Sequence, residues 1–189
     1  MPVEIEAKMK VDGFDTVRDR LKELNAVFIG DALETNVFFD TEDRSLLAGD
    51  RGLRLRTAKS LPDGGMKNTI TYKGPRLHGP LKSRDERELN VESPDNAIVL
   101  LEALGYLRVL SFQKRRQSWK LDGCEVELDE LPHIGVYVEI EGHSEADVMK
   151  VRESLNLNDR PLVKASYIAL LMTYLQDHHR KERVVTFAE

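Results

Sequence analysis

The residues best suited to chemistry in this chain are acidic and basic side chains that recur at every second position. Near the N-terminus, Val3-Glu4-Ile5-Glu6-Ala7-Lys8-Met9 alternates apolar and charged residues with period two, the pattern of a half-buried strand. Glu4, Glu6 and Lys8 fall on one face, Val3, Ile5, Ala7 and Met9 on the other. Same-face neighbours on a strand stand roughly 6.5 Å apart, so the two carboxylates share a local field. A hard divalent cation is the common remedy for such repulsion. For one motif taken alone, a solvated strand face is the commoner explanation.

The pattern is repeated, and that shifts the balance. Carboxylates recur in phase at Glu86 and Glu88, at Glu125, Glu127 and Asp129, and at Glu139 and Glu141. Cations recur in phase at Arg54 and Arg56, at Lys73 beside Thr69 and Thr71, and at Lys114 and Arg116. Arg and Lys suit phosphate oxygens, whereas Glu and Asp suit hydrated Mg²⁺ or Mn²⁺.

The elements that must carry these residues are strands, mostly hairpin-linked, with a few helices. Helices are expected from Asp12-Gly13 to Asn25, from the N-cap Ser93 to Gly105, from Ser144 to Leu155 and from Val163 to Gln176. Strands are expected at Ala26–Thr41, Leu53–Thr57, Asn68–Lys73, Lys82–Val91, Val109–Leu121, Cys124–Glu130 and Ile134–Gly142, besides the first. Pro62-Asp63-Gly64-Gly65 and Asp122-Gly123 are hairpin turns, Ala48–Gly52 is a flexible loop, and a further loop carries Arg76 and His78. The fold class is α+β, and closure of about eight antiparallel strands into a β-barrel would remove the sheet edges. Two arrangements fit the faces. The charges look outward and pair across strands, or they line a lumen while the apolar faces pack outward beneath helices.

Composition bounds the rest. A net charge of −5 argues against a broad nucleic-acid footprint, and the single cysteine, Cys124, rules out an internal disulfide. No apolar run approaches 18 residues and no signal peptide opens the chain, so the expected location is cytoplasmic with no membrane partner. Residues 1–177 are expected to form one domain, with 178–189 a polar, mobile tail whose His178-His179 pair is a surface feature.

Glu4-x-Glu6-x-Lys8 resembles the signature of the CYTH superfamily, the triphosphate tunnel metalloenzymes. Further pieces follow in that family's order, among them Phe38-Phe39-Asp40-Thr41, Gly52-Leu53-Arg54-Leu55-Arg56, Thr71-Tyr72-Lys73-Gly74-Pro75, Lys114-Arg115-Arg116, Leu128-Asp129-Glu130-Leu131, Glu139-Ile140-Glu141 and Ser166-Tyr167. The resemblance implies an eight-stranded antiparallel tunnel with its charges inside. It also implies roles: Glu4, Glu6, Glu139 and Glu141 as ligands of Mg²⁺ or Mn²⁺, with Glu86, Glu88 and Asp129 as further metal or water-positioning residues. Lys8, Arg54, Arg56, Lys73, Lys114 and Arg116 would grip the triphosphate, and Asp129, Lys8 and Glu88 would be catalytic. Lys164 departs from the family spacing and is not counted, and Arg115, Asp85 and Arg87 are out of phase.

Within the family the chain is most similar to the class IV adenylyl cyclase group, which implies conversion of ATP to cyclic AMP and pyrophosphate. The alternative is hydrolysis of tripolyphosphate or thiamine triphosphate in the same tunnel, and a second alternative is a triphosphate- or polyphosphate-binding module without turnover. A homodimer is a possible assembly.

Overall fold

The alternating strands meet in one antiparallel sheet that closes on itself. A computed structural model describes residues 3–77 and 81–188, with the backbone alone for Val3, Glu4 and Lys82. The first half contains β1 (Val3–Val11), α1 (Asp15–Glu23), β2 (Val27–Asp40), α2 (Ser45–Ala48), β3 (Gly52–Ser60), β4 (Met66–Arg76) and β5 (Lys82–Asn90). The second contains α3 (Pro94–Ala103), β6 (Leu107–Leu121), β7 (Cys124–Leu131), β8 (Gly135–Gly142), α4 (Glu145–Ser154), α5 (Tyr167–Asp177) and β9 (Val184–Val185). The strands are ordered β2-β3-β4-β5-β1-β8-β7-β6, and β6 returns to β2 from Val27↔Lys120 to Asp40↔Leu107. This closes an eight-stranded barrel. The β6–β7 turn has Asp122 at φ 50° and Gly123 at φ 80°, the double left-handed geometry that a two-residue hairpin favours.

The apolar residues decide which face is inside. Met9, Val126, Leu128, Val138 and Ile140 are buried with Val17, Leu21, Val148 and Val151, so the outer sheet face packs beneath α1 and α4. Phe39, Leu53 and Leu55 pack likewise with Leu46, Ala97 and Leu101 beneath α2 and α3. Each fully buried aliphatic side chain contributes about 1.5–3 kcal/mol. The charged faces are left to the lumen, which is the second of the two arrangements.

A third cluster was not anticipated as an inward one. Leu110 and Phe112 share the strand face of Lys114 and Arg116, Leu131 that of Asp129, and Tyr137 that of Glu139. These residues pack with Tyr167, Leu171 and Leu175 of α5 and with Val185. The lumen face therefore turns apolar at one end, and α5 covers that end.

Three expectations need correction. Helix α5 begins at Tyr167 rather than Val163, because the Val163 amide donates to the Lys8 carbonyl (2.8 Å) and Leu162 bridges Met9, holding the chain extended until Ser166 caps the helix. Strand β4 runs on through Gly74 and Pro75 to Arg76, with a register shift that accommodates them; His78 lies outside the described residues. The C-terminal segment is docked instead of mobile: β9 lies parallel to β6, the Ser111 amide donates to the Arg183 carbonyl (2.8 Å), and Val185 is buried.

Candidate active site

Strand alternation aims the cations of β3, β4 and β6 into the lumen, where most are buried. Arg54 Nη2 donates to Thr71 Oγ1 (3.0 Å), and Arg56 Nε donates to Asn36 Oδ1 (3.3 Å). Lys73 pairs with Glu86. Lys114 Nζ is 3.2 Å from both Asp129 Oδ2 and Glu34 Oε2. Burial, and then the neighbouring Arg56, push the Arg54 guanidinium down to about 10. Burial and Arg116 likewise lower the Lys114 ammonium. Both shifts describe cations crowded in a low-dielectric space, where an anion would be welcome. Among the described residues no hydrogen-bond partner meets the buried Asn36 Nδ2 or Arg54 Nε.

The carboxylates gather on the wall formed by β7 and β8. Oxygens of Glu127, Asp129 and Glu139 lie within 4.8 Å of one another, a hard-oxygen donor set of the kind Mg²⁺ or Mn²⁺ takes. Burial pushes the Glu127 carboxyl up to about 7, with Asp129 and Glu139 adding to the rise against the pull of Arg116 and Lys114. Arg116 stands among the three. Its Nε is 2.7 Å from Asp129 Oδ1, its Nη2 is 2.8 Å from Glu139 Oε2, and its Nη1 pairs with Glu127. Burial alone would lower Arg116, but Asp129, Glu127 and Glu34 hold it well above its ordinary value.

Lys8 joins the two groups. Its Nζ is 3.1 Å from Glu139 Oε1, 4.0 Å from Glu6 Oε1 and 3.0 Å from the Ala165 carbonyl, and lies 4.0 Å over the Tyr167 ring. The Tyr167 hydroxyl donates to Asp129 Oδ2 (2.9 Å). Asp129, fully buried, thus accepts from Arg116, Lys114 and Tyr167.

The expected site residues therefore divide. Asp129, Glu139, Lys8, Lys114 and Arg116 come together, and Arg54 and Arg56 adjoin them through Glu34. Glu86 and Glu88 stand instead on β5, against Lys73, Thr71 and Arg54; Glu88 is half exposed. The Glu4 side chain lies outside what is described, and Glu141 sits towards the barrel end remote from α5. A cleft of about 610 Å³ opens at that end, lined by Asn25, Val27, Lys120, Glu125, Glu141 and His143 among others. Arg115 faces outward to Glu130 (3.3 Å) and Phe187, and Arg87 pairs with Asp85 (3.3 Å), as their phase implies.

Sequence reasoning left Glu34, Asn36 and Tyr167 without a role, and read Glu127 as one rung of a ladder rather than as a ligand. Glu34 and Asn36 share a face, but β2 holds no run of alternating charge to flag them. Glu127 differs from Glu125 only in depth within the barrel, which spacing does not report.

A closed antiparallel barrel whose lumen carries clustered cations beside clustered carboxylates is the architecture of the triphosphate tunnel proteins. The CYTH domain family matches residues 2–167, and the chain belongs to it. It is 28% identical over 177 residues to a Methanocaldococcus jannaschii protein named as a candidate adenylate cyclase, covering 89% of this chain and 98% of that one. It is 31% identical over 138 residues to an adenylate cyclase, CyaB, of Aeromonas hydrophila, covering 72% of this chain and 67% of that one. Among solved structures it resembles a Hippeastrum protein described as a candidate adenylyl cyclase with a dominant triphosphatase activity (TM-score 0.69, 17% identity, 92% and 96% covered), a likeness of fold.

Proposed function

We propose that the lumen binds the triphosphate group of ATP with a divalent cation and converts it, as a class IV adenylyl cyclase does, to cyclic AMP and pyrophosphate. The observation that carries this reading is the crowding of Arg54, Arg56, Lys114 and Arg116 in one largely enclosed space, where burial and then the neighbouring cations depress Arg54 and Lys114. Those four and Lys73 hold the phosphate oxygens. Lys8 and Arg116, at the junction with the carboxylates, contact the phosphoryl group that reacts.

Glu127, Asp129 and Glu139, with Glu6 nearby and Glu4 and Glu141 from the resemblance, would hold Mg²⁺ or Mn²⁺. When bound, the cation supplies charge neutralisation for the phosphoryl oxygens. The four hydrogen bonds that Asp129 accepts leave it poorly placed to take a proton from the substrate, and it would ligate the cation by giving up one of those donors. Glu88, half exposed beside Thr71, is assigned to orienting the phosphates or the attacking oxygen from the far wall.

In the cyclase reading the ribose 3′-oxygen attacks the α-phosphorus and pyrophosphate leaves, the nucleoside occupying the cleft beside Glu141. The second reading is a triphosphatase, with water attacking a terminal phosphorus; it is favoured by the activity described for the Hippeastrum protein and by a lumen addressed to phosphates alone. Incubation with Mg²⁺ or Mn²⁺ and ATP, tripolyphosphate or thiamine triphosphate separates them. Cyclic AMP with stoichiometric pyrophosphate supports the cyclase. Orthophosphate from tripolyphosphate with ATP untouched supports the hydrolase. Tight binding without turnover would leave a triphosphate-binding module.

A further inference from the structure

We propose that Glu34 is a built-in counter-anion of the phosphate-seeking cations, which weakens their grip on polyphosphates and so governs how readily a pyrophosphate or phosphate product leaves. The inference rests on the assignment of the lumen to triphosphates and concerns a residue that assignment does not use.

Glu34 lies on β2 directly opposite Lys114 of β6, and its side chain is buried in the lumen. Its Oε1 is 3.2 Å from Arg56 Nη1 and 4.0 Å from Arg116 Nε, and its Oε2 is 3.2 Å from Lys114 Nζ. It is thus a carboxylate placed where phosphate oxygens would otherwise go. Burial opposes its charge, but Lys114, Arg56 and Arg116 hold its ionisation far below the usual carboxylate range, so it is an anion at every working pH.

Two functions could explain a carboxylate there, positioning the cations or compensating them. The contacts favour compensation. Arg56 is also held by Asn36 Oδ1, Lys114 by Asp129 Oδ2, and Arg116 by Asp129 and Glu139, so each cation keeps an independent anchor without Glu34. Among the described residues Glu34 Oε2 makes no aligned hydrogen bond despite its closeness to Lys114, so that oxygen meets the ammonium by charge rather than by a fixed geometry. A polyanion entering among these cations must share them with Glu34 and is repelled by it. The same repulsion speeds its departure. Without substrate, Glu34 spares the protein a cluster of buried, uncompensated positive charge.

The test is calorimetric binding of tripolyphosphate and pyrophosphate, with divalent cations chelated, to the wild-type protein and to the isosteric Glu34→Gln variant. The expected result is binding at least about tenfold tighter in the variant, since loss of a like charge at contact distance is worth that much or more. Under turnover conditions, the pyrophosphate inhibition constant should fall by a similar factor. Wild-type binding with equal or weaker binding by the variant would overturn the role of Glu34 while leaving the triphosphate assignment standing. Absence of binding by both proteins would overturn the assignment itself and this inference with it. Should Glu34→Gln fail to fold, Asn36→Asp adds a second carboxylate beside Arg56. It is expected to bind pyrophosphate about tenfold more weakly, and unchanged affinity would overturn the proposal.

Discussion

Tyr167 and Asp129 are 38 residues apart in sequence, yet the phenolic hydroxyl of one donates to a carboxylate oxygen of the other across 2.9 Å. The bond ties the first turn of α5, which covers the apolar end of the barrel, to the buried centre of the acidic cluster. Burial, followed by the charges of Asp129 and Glu139, raises the hydroxyl well above its ordinary value and keeps it a donor. Tyr167→Phe preserves the ring under Lys8 and removes only this bond. The expected cost is about 1.5–3 kcal/mol in urea denaturation, as for a hydrogen bond to a charged group. Turnover should fall as Asp129 loses an orienting partner, and unchanged stability and activity would show the contact to be incidental.

Glu6 tests the metal assignment without touching the core. Its side chain is partly exposed in the lumen, with Lys8 Nζ 4.0 Å away. Glu6→Gln should abolish turnover with little change in melting temperature, because it removes a ligand and no packing. Chelation of divalent cations should silence the wild-type protein in the same assay, with Mg²⁺ or Mn²⁺ restoring it. Full activity of Glu6→Gln would remove Glu6 from the ligand set.

The acid limb of stability should carry the signature of Glu34. Its folded-state ionisation lies below the ordinary glutamate value of 4.5, so its contribution is complete above that pH and is lost as pH falls further. Denaturation midpoints followed from pH 6 to pH 2 should decline in the wild-type protein, and the decline should be shallower in Glu34→Gln. Identical slopes would mean the carboxylate contributes nothing through its charge.

Gly142 follows Glu141 at the end of β8, where space for a side chain is missing. A Cβ there would meet Cys124 Sγ at 2.8 Å and Val148 Cγ2 at 3.0 Å. Gly142→Ala should therefore destabilise by about 1–3 kcal/mol, the usual cost of overpacking. Adding Cys124→Ala removes the closer of the two atoms. The double variant should recover part of the loss, a coupling measurable by a double-mutant cycle. Strict additivity would contradict the contact.

The period-two alternation of β1, β3, β6, β7 and β8 is set by the order of residues alone, and so are the turn at Asp122-Gly123 and the N-caps Ser93 and Ser144. A strand's side chains have only two directions, and a helix start needs one local acceptor; both are readable within a few residues. Which direction is inside is not local. Outward charge and inward charge have the same periodicity, and packing of the opposite faces under α1, α3 and α4 decided between them. Depth along the barrel is equally invisible: Glu125, Glu127 and Asp129 are equivalent by spacing, yet Glu127 and Asp129 meet Glu139. Leu110 and Phe112 share the periodicity of Lys114 and Arg116, and only α5, arriving from 55 residues or more downstream, makes their end of the lumen apolar. Glu34, isolated on its strand, comes to face Lys114 only through the closure of β2 onto β6. Pairings across a closed barrel are fixed by the register of distant strands, and that register belongs to the tertiary structure.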